Sequence, residues 1–172
     1  MAEAPRFEVL PFDATFDRAA FSCGVEPLDR YLKQQARQDM KRNVAAVFVL
    51  RPVDALRTIA GYYTTSMSVI YPASLPPEVA KRYPPYGELP AALVGLLAVD
   101  SSFQGQGIGR MLLLSALGRC LRLPVEIGGM AVIVDAKDDG ARAFYEHYDF
   151  QRMADDPYRL YLPMMIRELL AE

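Results

Sequence analysis

The chain has 172 residues, with 19 Lys and Arg against 21 Asp and Glu, for a formal charge of −2. At about 100–200 residues per domain, that length predicts one domain spanning residues 1–172, with a core of its own. Apolar residues are 52% and charged residues 23%, which excludes a mainly disordered chain. The small net charge excludes a uniformly basic nucleic-acid coat but allows a local basic patch.

Along the chain, Glu3, Arg6 and Glu8 have no apolar run behind them, so the start does not read as a signal peptide. Residues 7–10, Phe-Glu-Val-Leu, alternate as a short strand. Residues 26–42, entered through Gly24 and Pro27, read as a helix. Leu28, Tyr31, Leu32 and Ala36 can face a core, while Arg30, Lys33, Arg37 and Lys41 recur at spacings of three and four. That cationic stripe, which Arg42 extends, suits either a solvated helix face or a phosphate-contacting surface.

Asn43 introduces a β-rich run over residues 44–50, and residues 51–54 read as a turn. Residues 59–70 read as a second long strand, so an antiparallel hairpin is expected. Six prolines break up residues 71–90, allowing only a short helix near Glu78, Val79 and Ala80. Residues 92–99 form an uninterrupted apolar run suited to a central strand.

Helical spacing returns over residues 109–121, a buried-type strand over 130–134, and a short helix over 140–148 with Asp138 or Asp139 as its cap. A last strand is expected over 159–164, with a short helix after Pro163. This order predicts an α/β fold with a mixed central sheet and helices on both faces. Cys23 and Cys120 are too far apart for a zinc motif or a disulfide framework, and no metal site is expected. The longest apolar stretch, residues 91–99, is too short for a bilayer, so no membrane partner and a cytoplasmic location are expected.

The most informative stretch runs from Leu96 to Arg110. A buried strand ends at Val99, a short loop follows, and Gly105, Gly107 and Gly109 open an amphipathic helix. Glycine lets a backbone approach a ligand without a Cβ in the way. The first N–H groups of a helix are unpaired and lie at its positive end. Together they make an anion site suited to a pyrophosphate. The dinucleotide fingerprint needs Gly or Ala where Arg110 stands, and the Gly-Lys-Ser/Thr of a P-loop is absent.

Gln104, Gly107 and Gly109 instead fit Gln-x-x-Gly-x-Gly, and on this pattern the chain from Val44 to Met164 resembles the GNAT acetyltransferases. Residues 141–150, Ala-Arg-Ala-Phe-Tyr-Glu-His-Tyr-Asp-Phe, look like that family's Ala-x-x-Phe-Tyr segment, with Asp149 where glycine is usual. Residues 21–32, Phe-Ser-Cys-Gly-Val-Glu-Pro-Leu-Asp-Arg-Tyr-Leu, resemble the N-terminal segment of the GNAT toxins of bacterial toxin–antitoxin pairs, with Ser22 in place of the usual Asp. Gly61-Tyr62-Tyr63-Thr64 and Val134-Asp135-Ala136-Lys137 also look like that subgroup.

The resemblance implies acetyl-CoA as acetyl donor and the α-amino group of charged tRNA as acceptor, with translation blocked as the result. It implies that Gln104, Gly105, Gln106, Gly107, Ile108, Gly109 and Arg110 hold the pyrophosphate, and that Leu97 and Val99 pair with the pantetheine arm. Tyr145 stands at the position of the general acid. His147, two residues on, points elsewhere on a helix and reads as a surface or packing residue.

The stripe of Arg30, Lys33, Arg37 and Lys41 is the candidate tRNA contact. A ribbon–helix–helix antitoxin and a homodimer are expected by the same resemblance. Two other readings stay open: a small-molecule or protein N-acetyltransferase with the same cofactor site, and a module that binds coenzyme A without turnover.

Overall fold

Seven strands form one mixed sheet in the order β1-β2-β3-β4-β5-β7-β6 in the computed structural model, which describes residues 4–164. The strands are β1 (Phe7–Pro11), β2 (Ala46–Pro52), β3 (Gly61–Ile70), β4 (Leu89–Val99), β5 (Ala131–Asp135), β6 (Gln151–Arg152) and β7 (Arg159–Pro163). The chain divides into two compact units, one running through Ser66 and including Leu96–Ala116, the other comprising Met67–Gly95 and the chain from Leu117.

In the first unit, β1 pairs antiparallel with β2 (Val9 opposite Leu50), and β2 with β3 (Phe48 opposite Tyr63). The expected hairpin is therefore present, with residues 53–60 as its connection. Its core gathers Phe12, Phe21, Leu32, Val47, Val49 and Tyr62. The Tyr62 ring meets Phe21 edge-on at 5.5 Å and stacks on Tyr31 at 6.3 Å, while its hydroxyl donates to the Leu28 carbonyl at 2.6 Å. The one polar atom of this large buried side chain is thus satisfied.

The expected helix over 26–42 is α1 (Glu26–Arg30), one π turn over Tyr31–Gln35, and α2 (Ala36–Lys41). Pro27 sits in the first turn, where its missing N–H costs nothing. The wider π turn brings positions four apart nearly into line, and Leu32 and Ala36 are both fully buried. It also lets the Asp39 carboxylate accept from the Tyr31 hydroxyl at 2.9 Å and the Gln35 amide at 2.8 Å. Asn43, at φ 56°, ends the helix in the left-handed region that asparagine tolerates, and the Val44 N–H returns to the Asp39 carbonyl.

In the second unit, β4 runs parallel to β5 (Leu93 opposite Ile133), and β5 antiparallel to β7 (Ile133 opposite Tyr161). β5 is fully buried from Ala131 to Val134, as its unbroken apolar run predicts. Residues 71–88 are connector except for a 3-10 turn at Pro72–Ser74 and α3 (Pro77–Ala80). Leu75, with Val79, Ala80 and Tyr83, packs this connector onto Ile70, Leu89, Ile133 and Tyr161.

Three further helices complete the order: α4 (Ile108–Cys120), α5 (Leu123–Glu126) and α6 (Asp139–His147). β6 and α5 are too short to show a periodicity and were not expected from the residues. Both cysteines are buried thiols outside any disulfide, as expected of packed residues. The helix expected after Pro163 lies outside the described residues. No helix among the described residues is long and apolar enough to cross a membrane.

Candidate active site

β4 ends in partly exposed residues, Leu97 and Val99, and the chain then turns on Asp100, which is 8% exposed. One Asp100 oxygen accepts the Ser102 N–H at 2.9 Å and the other the Ser22 N–H at 3.0 Å. The Ser101 N–H answers to the Ser22 carbonyl at 2.8 Å. The segment after β4 is therefore pinned to the Phe-Ser-Cys-Gly stretch through both backbone groups of Ser22.

Asp29 holds that stretch in turn, accepting the Cys23 N–H at 2.8 Å and the Ser22 hydroxyl at 3.5 Å. The Gln104 amide bridges the two segments, donating to the Cys23 and Val99 carbonyls at 3.4 Å each. Asp100, Ser22 and Asp29 are the buttress that residue patterns alone did not identify. An aspartate directly after a buried strand, and another six residues beyond Cys23, were its only signals.

Gly105 and Gly107 lie at φ +77° and +76°, and a Cβ on either would meet nothing within 4 Å. Their glycine identity is therefore a backbone requirement and not a relief of crowding. Left-handed residues alternating with Gln106 and Ile108, which are not left-handed, form the kind of concave backbone that turns successive N–H groups to one side.

The first helical bond of α4 runs from the Met111 N–H to the Gly107 carbonyl, so the preceding amides stand free of the helix's own ladder. Ile108, 1% exposed, anchors the turn while Gln104, Gln106 and Arg110 stay exposed. Gly109 lies inside the first turn of α4, so the two left-handed glycines are 105 and 107. This arrangement fits a pyrophosphate, combining open space, free amides and the positive end of a thirteen-residue helix. β4 is steadied just ahead of it, where the Leu96 N–H donates to the buried Thr64 hydroxyl at 3.0 Å.

The cationic helix belongs to this same unit. Arg30 is tied to Glu26 at 2.6 Å, an exposed pair worth little in stability. Lys33 is half-buried and Arg37 and Lys41 are exposed, and none of the three has an ion-pair partner among the described residues. The stripe thus carries three uncommitted charges, with Arg30 partly neutralised.

Tyr145 sits in the second unit, in the last turn of α6. The Asp138 carboxylate caps this helix, accepting the Ala141 N–H at 2.7 Å. The Tyr145 ring is 7% exposed and packs against Phe144 and Phe150 at 5.4 and 5.6 Å between centroids. Its hydroxyl has no hydrogen-bond partner among the described residues.

Burial, and then the Asp135 carboxylate, push the phenol up to about 12. It therefore stays protonated throughout the neutral range. Asp149 adopts φ +68°, so the turn after α6 keeps its left-handed form without the usual glycine. His147 is exposed, with its ring edge-on to Tyr148 at 5.1 Å.

A family model described as an acetyltransferase (GNAT) domain matches residues 90–165. A tRNA-acetylating toxin of Mycobacterium tuberculosis (strain ATCC 25618 / H37Rv) is 35% identical over 86% of this chain and 86% of its own length. A probable toxin TacT of Sinorhizobium fredii (strain NBRC 101917 / NGR234) is 32% identical over 90% of this chain and 89% of its own.

Among solved structures, AtaT complexed with acetyl-methionyl-tRNAfMet superposes with a TM-score of 0.89 at 27% identity, covering 97% of this chain and 100% of that one. AtaTR bound with AcCoA is similar at a TM-score of 0.83 and 27% identity, covering 96% of this chain and 98% of that one. A Tyr-to-Phe AtaT mutant toxin bound to the C-terminus of the antitoxin AtaR is similar at a TM-score of 0.80 and 25% identity, covering 98% of each chain. The glycine turn, the strand before it and the identity over most of the chain agree: this protein belongs to the GNAT acetyltransferases, the acyltransferases that draw on acetyl-CoA, within the branch that holds the tRNA-acetylating toxins.

Proposed function

We propose that this chain, acting as one catalytic domain over residues 1–172, transfers an acetyl group to the α-amino group of aminoacyl-tRNA and so blocks translation. The observation that carries the reading is the paired left-handed turn at Gly105 and Gly107 ahead of α4, in a chain 35% identical to a tRNA-acetylating toxin.

Acetyl-CoA supplies the acetyl thioester. The backbone amides from Gly105 to Arg110, with Gln104 bracing the turn, hold the pyrophosphate. Leu97 and Val99 offer backbone groups to the pantetheine arm, and an N–H near Val99 stabilises the developing oxyanion. Tyr145 donates its proton to the leaving thiolate. Its raised pKa makes it a weak acid, so it works by position and not by strength. No dedicated base is needed, because an α-amine titrates near ~8, far below lysine at ~10.4.

Lys33, Arg37 and Lys41, with Arg30 at one end of the stripe, supply phosphate contacts for tRNA. AtaT solved with an antitoxin's C-terminus and with an acetylated tRNA supports both kinds of partner. A ribbon–helix–helix antitoxin, a homodimer and a cytoplasmic site of action complete the proposal.

The test uses labelled acetyl-CoA with a pool of charged tRNA and the same pool after deacylation. Label on the charged pool alone is expected. Label on neither pool, with acetyl-CoA still bound, would move the assignment to a small amine or a protein acceptor. Charge reversal at Lys33 and Arg37 should lower the salt dependence of tRNA binding by roughly one unit of slope per lost contact.

A further inference from the structure

The Gly61-Tyr62-Tyr63-Thr64 segment opens β3 and is buried throughout, and no role in the chemistry has yet been given to it. Unlike Gly105 and Gly107, Gly61 does not adopt a left-handed φ, so its backbone makes no demand for glycine. Space makes that demand instead. A Cβ at this position would stand 2.7 Å from Leu112 Cδ1, 2.8 Å from the Ala98 carbonyl oxygen and 3.3 Å from Ile108 Cγ2.

These three neighbours belong to the two halves of the cofactor site. Ala98 lies between Leu97 and Val99, the residues of β4 that face the pantetheine arm in the reading above. Ile108 and Leu112 lie in the first turns of α4, directly after the glycine turn that takes the pyrophosphate. At one point, then, β3 touches the strand end and the helix start together, and it does so because a side chain is missing.

The rest of the segment holds the same two elements. Residues two apart share a strand face, and the Tyr63 hydroxyl lies 2.9 Å from that of Ser115 on α4. Residues 108, 112 and 115 are neighbours on one face of that helix. Along β4, the Thr64 hydroxyl accepts the Leu96 N–H at 3.0 Å, and the Ala60 carbonyl accepts the Asp100 N–H at 2.9 Å. The end of β4 is thus tied to β3 on both sides of Ala98, while Gly61 sets how closely the two lie.

We infer that Gly61 and Thr64 are positioning residues for acetyl-CoA, fixing the spacing between the strand that takes the pantetheine arm and the turn that takes the pyrophosphate. The inference rests on the acetyl-transfer reading above. A ligand that spans both halves senses their separation, and a ligand that uses the turn alone does not. With alanine at position 61 the tip of Leu112 can rotate away, but the Ala98 carbonyl is backbone. It must retreat from 2.8 Å to ordinary contact at 3.4 Å, further than the ~0.5 Å within which a binding constellation keeps its geometry. None of the three crowded atoms belongs to residues 104–107, so the turn keeps its own shape.

The test compares the binding of acetyl-CoA with that of ADP, which carries a pyrophosphate but no pantetheine arm. For Gly61→Ala, Kd for acetyl-CoA should rise about tenfold and Kd for ADP by less than about twofold. KM for acetyl-CoA should rise with its Kd, while KM for charged tRNA stays within about twofold. Thr64→Val keeps the side-chain shape but removes the acceptor of the Leu96 N–H, and should weaken acetyl-CoA about fivefold with ADP again spared. Thr64→Ser keeps the hydroxyl and should restore acetyl-CoA affinity to within about twofold of the unaltered protein.

Ala131→Val is the control for packing alone. It overfills a fully buried position of β5, and should lower Tm while leaving the ratio of the two affinities unchanged. Equal losses for acetyl-CoA and ADP, a ratio no different from that of Ala131→Val, or unaltered acetyl-CoA affinity in Gly61→Ala or Thr64→Val would overturn the inference. Thr64→Val and Thr64→Ser add no bulk, so they decide it even where Gly61→Ala does not fold, and equal affinities in those two would overturn it as well. Failure of the unaltered protein to bind acetyl-CoA or to pass on its acetyl group would instead refute the acetyl-transfer reading beneath it.

Discussion

Replacing Gly107 with Ala tests the cradle through its backbone alone. A Cβ at this position meets nothing within 4 Å, so no steric clash contributes. What remains is the cost of holding an L-residue at φ +76°, about 1–2 kcal/mol. For a chain of this length about 1 kcal/mol moves Tm by roughly 2–4 °C. If the turn keeps its shape, thermal unfolding should fall by about 2–8 °C. If the turn relaxes to negative φ, stability recovers, but the amides swing away from the phosphates. The Kd for acetyl-CoA should then rise by about tenfold, the equivalent of ~1.4 kcal/mol.

Gly118→Ala, inside α4, provides the contrast. This glycine is exposed, a Cβ there also meets nothing, and its φ is not left-handed. Alanine should stabilise α4 by about 1 kcal/mol and leave acetyl-CoA binding alone. Scanning calorimetry and titration calorimetry on the two variants read both quantities. Gly107→Ala with unaltered Tm and unaltered Kd would refute the argument, as would a Tm gain matching that of Gly118→Ala.

Tyr145→Phe should lower kcat by about 10²–10⁴-fold in an acetyl-transfer assay, with acetyl-CoA affinity unchanged. The phenol is held up to about 12, so kcat should show no loss from its ionisation between pH 7 and pH 9. Burial pushes the Cys120 thiol from 9.0 up to about 11. The unfolded chain then gives up this proton first, so stability is intact below pH 9 and declines towards pH 11, a slope that Cys120→Ala should remove from denaturation curves. Asp149→Gly relieves φ +68° and should raise stability by about 0.5–1 kcal/mol, the strain relieved exceeding the extra entropy of an unfolded glycine, as urea unfolding would show.

The strands and long helices were legible because burial writes a period into the residues. The apolar run before Asp100 became β4, and the Gly-rich stretch after it became a turn and a helix start. The π turn at Tyr31–Gln35 was not legible, since it is set by Asp39 meeting Tyr31 and Gln35 and by the packing of Leu32 and Ala36, not by any residue motif. Gly109 fits the motif as well as Gly107 does, yet only the latter is left-handed; spacing does not record where a helix begins.

The ties from Asp100 to Ser22 and from Asp29 to Cys23 were hidden for a related reason. They join residues through backbone N–H groups, which every residue type carries.

The central claim is that Tyr145-dependent chemistry acetylates the amino acid on charged tRNA. The most direct measurement is mass spectrometry of the amino acids stripped from a charged tRNA pool after incubation with acetyl-CoA, for the unaltered protein and for Tyr145→Phe. The account predicts one or a few amino acids heavier by a single N-acetyl group, lost with Tyr145→Phe. A pool stripped with no acetylated amino acid, or one acetylated equally by Tyr145→Phe, would contradict it.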